Sequence, residues 1–360
     1  MENEFYYNQQ EEKNKVKTSL RKAANANGLV LILFYVLVLG GVQIIAKLFQ
    51  TYINNHAGFD TQAVYKINAI YELVATSWQY CIVVPLILFI FYKLYGKKAG
   101  WRLRDSYHKP QMPTKWIVKW ILISIGVIYA SAFISNIIWT ILQAIAPFQF
   151  YAPDITASPT GISAFVNIIM IAVYAPVFEE MMFRSTLFRN TERFGQGFAV
   201  IMIGITFGLW HINYQQFIYA SVMGILACFL TTKTKSVYPA MILHFILNLI
   251  GAIQSIIMGH IDMNSLSQGD ITAILNSKNL GAVFGMGIIG LIIMALSVTG
   301  IILFILEIIL HRDSFRFEEK RCNILTNGEK VRTYLLSPVT ALAMIGMLGL
   351  TIFNILKNVI

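Results

Sequence analysis

Nine apolar runs, most of them long enough to cross a hydrocarbon layer, leave this chain few ways to fold. They are Leu29–Phe49, Ala69–Tyr92, Trp116–Ile145, Ile162–Phe178, Phe198–Ile212, Phe217–Leu230, Val237–Met258, Leu280–Leu310 and Leu335–Leu356. A helix needs about 20 apolar residues to span a bilayer, and within it every backbone N–H and C=O must be satisfied inside the segment. The expected fold is therefore all-α, a polytopic membrane helix bundle of eight or nine transmembrane helices. Composition agrees: 56% of residues are hydrophobic, 13% are charged, and the mean hydropathy is +0.62. The fifth and sixth runs are short and read either as two spans or as one broken hairpin. Residues 1–28 read as a polar cytoplasmic tail, mobile or forming a short interfacial helix, ahead of one transmembrane domain at 29–360. Nothing there has the form of a cleaved leader, so Leu29–Phe49 is expected to be a retained anchor.

The basic residues sort the loops. Lys93, Lys97, Lys98, Arg102, Arg104, Lys109 and Lys115 crowd the second, Lys233 and Lys235 the sixth, and Arg312, Arg316, Lys320, Arg321, Lys330 and Arg332 the eighth. In contrast, 50–65 and 147–161 hold no lysine or arginine, and 259–279 holds only Lys278. Positive loops stay in the cytoplasm, so the chain is expected in the cell membrane, multi-pass, with its N terminus inside. The formal charge of +10 is then a topology signal that also favours contact with the lipid bilayer. It is not a nucleic-acid surface, because the basic residues lie on separate loops with no aromatic-bearing stripe. Cys81, Cys228 and Cys322 form no metal or disulfide spacing.

Polar residues in apolar runs need an explanation. Gln43, Lys47, Glu72, Asn136, Gln143, Gln254, Glu307 and Asn354 read as structural, snorkelling from segment ends or bonding across helices. Gly224, Gly251, Gly285, Gly287 and Gly290 read as sites of close helix packing. Three clusters stand apart: Glu179-Glu180 with Arg184, Phe207 with His211, and His244 with Asn248. Ionisable groups in a membrane segment are costly and mark a functional site by default. Residues four apart share a helix face. Glu180 therefore pairs with Arg184, Glu179 points elsewhere, Phe207 packs against His211, and His244 and Asn248 project together. The expected site is a convergent pocket of Glu179, His211, His244 and Asn248, braced by Glu180 and Arg184.

The order Glu-Glu-x-x-x-Arg, Phe-x-x-x-His, His-x-x-x-Asn on successive membrane segments resembles the CPBP family of intramembrane proteases, which includes the CAAX prenyl endopeptidases and the bacteriocin-related Abi proteins. The resemblance covers about 162–251, the expected protease core. It implies that Glu179 and His211 activate water while His244 and Asn248 stabilise the transition state. The residues themselves support that chemistry: a buried carboxylate and imidazole can take a proton from water, and an amide hydrolysis needs donors aimed at the oxyanion. No cofactor is required in this reading. Zinc is the alternative, with Glu179, His211 and His244 as candidate ligands. There is no HExxH, GxSxG or GxGD motif of competing protease types. A proton-coupled transporter would call for inverted repeats, which are not evident, and an inert immunity or scaffold protein would not need intact Glu and His residues.

The expected partner is a membrane peptide or protein substrate. A peptide pheromone, a bacteriocin leader or a small membrane protein fits better than a prenylated one. One geometric requirement follows. If the fourth helix stopped at Phe178, Glu179 and His211 would lie at opposite membrane faces, so that helix is expected to continue to about Asn190.

Overall fold

A segment in lipid closes its own hydrogen bonds, and the computed structural model, which describes residues 2–56, 61–146, 161–261, 277–317 and 324–356, turns every apolar run into helix. In chain order these are α1 (Glu2–Asn55), α2 (61–99), α3 (Thr114–Ile145), α4 (161–192), α5 (Gln196–Trp210), α6 (Tyr214–Thr234), α7 (Tyr238–Met258), α8 (Ser277–Leu310), α9 (Asn327–Leu335) and α10 (Pro338–Leu356). There is no strand among the described residues. Eight of the helices are long and apolar enough to cross a membrane, so the chain is an all-α, multi-pass membrane bundle. The ninth, α5, has 15 residues, about 22 Å of rise, which is short of a full crossing. Lys320, Arg321, Cys322 and most of the poorly basic loops 147–161 and 259–279 lie outside the described residues.

Two sequence expectations change. Residues 2–28 are not a separate tail but the first half of α1, and Leu20, Ala23, Ala24 and Asn27 are fully buried. A knot of amides and hydroxyls holds them. Asn27 Nδ2 donates to Thr191 Oγ1 at 2.9 Å and to Tyr334 Oη at 3.0 Å, while Asn190 Nδ2 donates to Asn27 Oδ1 at 2.8 Å. At Gly28 a Cβ would meet the backbone nitrogen of Thr340 at 2.6 Å, so α1 and α10 cross main chain to main chain. The sixth run is also longer than its apolar stretch, because Tyr214 to Gln216 and Thr231 to Thr234 continue the helix to 21 residues.

Prolines shape the two helices that carry the site. Pro85 and Pro176 lack an N–H, and their rings crowd the carbonyl one turn back. Just ahead of each the helix widens to π geometry, at Trp78–Val83 in α2 and Ile169–Tyr174 in α4. A second π-helical stretch, Phe183–Phe188, carries α4 on to Glu192, so the helix is continuous past Glu179 as expected. Elsewhere the bundle closes on small residues. A Cβ on Gly126 of α3 would lie 2.4 Å from the Leu296 carbonyl oxygen of α8, and the Lys119–Glu307 ion pair at 2.6 Å joins the same two helices. Glu307 is thus structural, as its position suggested.

Candidate active site

The four clustered residues of α4 and α7 form one charge network. Glu179, Glu180 and Arg184 are 4%, 0% and 0% exposed. Arg184 Nη1 lies 2.9 Å from Glu180 Oε1, the expected one-turn pair. Its guanidinium also sits 4.4 Å above the Phe207 ring, and its Nη2 donates to the Gly224 carbonyl at 3.4 Å. That approach requires bare backbone between α5 and α6. Cβ atoms on Gly204 and Gly224 would fall 2.7 Å from Ile225 N and from Gly204 O respectively. Gly224 is therefore a packing glycine, as read from the sequence.

The same Glu180 oxygen accepts from His244 Nδ1 at 2.9 Å. Glu180 is thus the hub between arginine and histidine. His244 Nε2 then faces Glu179 Oε2 at 3.8 Å. The other oxygen of Glu179 accepts a 2.6 Å hydrogen bond from Tyr80 Oη of α2. Glu179 Oε2 is buried and has no hydrogen-bond partner among the described residues. Two carboxylates against one guanidinium leave an excess negative charge, which one proton on Glu179 or His244 cancels.

His211 ends α5, and its ring meets Phe207 edge to face at 4.8 Å, as the four-residue spacing required. Its Nδ1 lies 2.8 Å from the Phe207 carbonyl. A carbonyl only accepts, so Nδ1 carries the proton and Nε2 is left as a bare acceptor. The corner beyond is strained. Ile212 is β-branched yet has φ of 51°, a conformation such residues rarely adopt. Tyr35 Oη of α1 donates to the Trp210 carbonyl, and Asn354 Nδ2 of α10 donates to the Ile212 carbonyl at 3.1 Å, so two distant helices pin this corner.

Depth is matched. Glu179 lies 13 residues above Glu192, and His211 lies 15 above Gln196, about 20 Å and 22 Å of rise from the same end of the bundle. The two nevertheless do not touch: no hydrogen bond or ion pair joins them among the described residues. The close Glu–His pair expected from the sequence is replaced by Glu179 facing His244, with His211 across Phe207. The Phe207 ring lies 5.9 Å from that of His244 and 4.8 Å from that of His211. His211, His244 and Asn248 line one cavity of about 860 Å³. Asn248 Nδ2 donates to Ile171 O at 2.8 Å, inside the π-helical stretch of α4, which leaves its second N–H free.

Among the described residues no three His, Cys, Asp or Glu side chains are grouped closely enough to hold a metal ion. Tyr80, Tyr35 and the role of Asn354 were not anticipated. The available signal for Tyr80 was a phenol in mid-span, whose hydroxyl must find a partner.

Residues 161–250 match the family model described as type II CAAX prenyl endopeptidase, Rce1-like. The chain matches no curated protein and no solved structure. The matched stretch contains Glu179, Glu180, Arg184, Phe207, His211, His244 and Asn248, and it supports the CPBP/CAAX protease family.

Proposed function

We propose, from a core whose match supports a CAAX-type intramembrane protease, that this chain is an endopeptidase that cleaves a membrane-associated or lipidated peptide. The observation that carries the reading is Glu179 Oε2, buried without a partner among the described residues and 3.8 Å from Nε2 of His244, which itself lines a large cavity. A water held at Glu179 gives its proton to Oε2 while its oxygen attacks the peptide carbonyl carbon. Tyr80 fixes the carboxylate so that the basic lone pairs stay on the water side. The bare Nε2 of His211 receives the water's second hydrogen bond. With Glu179 ionised as the base, the balancing proton sits on His244, so its Nδ1–H stays on Glu180 while its Nε2–H and the free N–H of Asn248 meet the oxyanion that forms. The C–N bond then breaks, and the proton on Glu179 passes to the leaving amine.

Membrane peptides compared by mass spectrometry between cells carrying the wild-type chain and Glu179→Ala give the test. The expected outcome is at least one peptide processed only by the wild type, with both proteins accumulating alike and His211→Ala behaving as Glu179→Ala does. Identical peptide profiles with normal accumulation would overturn the protease reading.

A further inference from the structure

The cavity reaches well beyond the reacting groups, and its far wall is polar in a particular way. Asn68 and Glu72 of α2, Asn136 of α3, Asn167 of α4 and Gln254 of α7 line it. Asn68 and Glu72 share a face one turn apart. Glu72 is the single lysine, arginine, aspartate or glutamate on that wall among the described residues. It has no ion-pair partner among them. Lys66, the nearest basic residue on α2, is six positions away, on a different face, and does not line the cavity. Asn167 Oδ1 is buried there with no donor. Two acceptors thus stand open in one chamber.

Charge along the sequence points the same way. In a chain of net +10, the segments 50–65, 147–161 and 259–279 carry Asp60, Asp154, Asp262 and Asp270 against Lys278 alone. Loop topology accounts for missing lysines and arginines but not for added aspartates, because acidic residues contribute little to orientation. Aspartates in these segments match the sign of the cavity's own carboxylate, and negative charge draws cations.

From these observations we propose that Glu72 binds a cationic group of the substrate, a lysine or arginine side chain or a free amino group, and so selects basic peptides. This rests on the protease reading above and specifies its substrate class. Glu72 and Tyr80 lie on one helix, eight residues apart, about 12 Å. Tyr80 bonds the carboxylate at which the water is held. An extended peptide advances about 3.3 Å per residue, which puts the cation three or four residues from the scissile bond.

The test uses full-length protein in lipid nanodiscs and a set of internally quenched peptides in which one lysine, glutamine or glutamate is walked along the chain. The expected result is a lysine optimum three or four residues from the cut, with kcat/KM roughly tenfold or more above glutamine. Glu72→Gln flattens that optimum, and Glu72→Lys moves it to glutamate. Binding of the same peptides, fluorescently labelled, to the Glu179→Gln protein provides a readout independent of turnover. Cleavage that ignores charge equally in wild type and Glu72→Gln overturns the cation site and leaves the protease standing. Lysine-selective binding that depends on Glu72, without any cleavage, keeps the cation site and overturns the protease. Neither selective binding nor cleavage overturns both.

Discussion

Removing the guanidinium of Arg184 strands a carboxylate that has no access to water. Glu180 and Arg184 are both fully buried, and breaking one side of such a pair costs about 3–5 kcal/mol. Arg184→Ala is expected to lower accumulation and thermal stability, checked by fluorescence-detected size exclusion after heating. Loss of cleavage with undiminished stability would assign Arg184 to the chemistry instead. His244 separates the two mechanisms open to the trio. As an oxyanion donor, His244→Ala loses on the order of 10²-fold or more in kcat with residual activity, Asn248→Ala behaves similarly, and chelation changes nothing. As a zinc ligand, His244 would be required for holding the ion, and stripping would stop cleavage until zinc returned. Elemental analysis of active protein beside a chelator titration reads this directly. Stoichiometric zinc, with activity lost on its removal and regained on its return, would refute the metal-free mechanism.

At the scale of elements, the α5–α6 hairpin decides where His211 sits. A Cβ on Gly208 would fall 2.0 Å from Ser221 Oγ and 2.5 Å from the Phe217 carbonyl oxygen, contacts that only a shift of α5 relieves. Gly208 lies three residues before His211, so that shift moves the imidazole. Gly208→Ala is expected to cost about 1–3 kcal/mol and to lower kcat more than the stability loss explains, measured as turnover per folded molecule. Unchanged turnover would mean that the corner held by Tyr35 and Asn354 fixes His211 independently of the crossing. Those two contacts also tie α1 and α10, both outside the stretch matched by the family model, to the position of His211.

For the whole molecule, charge asymmetry sets the orientation. The basic segment 101–113 closes the same end as α4 and α7. Trp101 Nε1 donates to Ser185 O at 2.7 Å, and Val237 N donates to Ser106 O at 2.9 Å. By positive-inside bias that end, with the N terminus, is expected in the cytoplasm. Arg104→Cys is expected to resist an impermeant thiol reagent added to intact cells and to react after permeabilisation. Labelling from outside would invert the topology, and with it the direction from which Glu72 meets a peptide.

What the sequence determined by itself is what local geometry controls. A bilayer admits only segments that satisfy their own backbone, so the apolar runs had to be helices. Residues four apart had to share a face, so the Glu180–Arg184 pair, the Phe207–His211 ring contact and the common face of His244 and Asn248 were all legible. Only the tertiary structure decided which faces meet. Tyr80 reaches Glu179 across 99 positions, Glu180 reaches His244 across 64, and Tyr35 reaches the His211 corner across 175. The missing Glu179–His211 contact and the burial of α1 before residue 28 belong to the same class. In lipid, helix partners are chosen by backbone approach at small residues and by buried hydrogen bonds between chain-distant groups, and neither leaves a periodic trace along the chain.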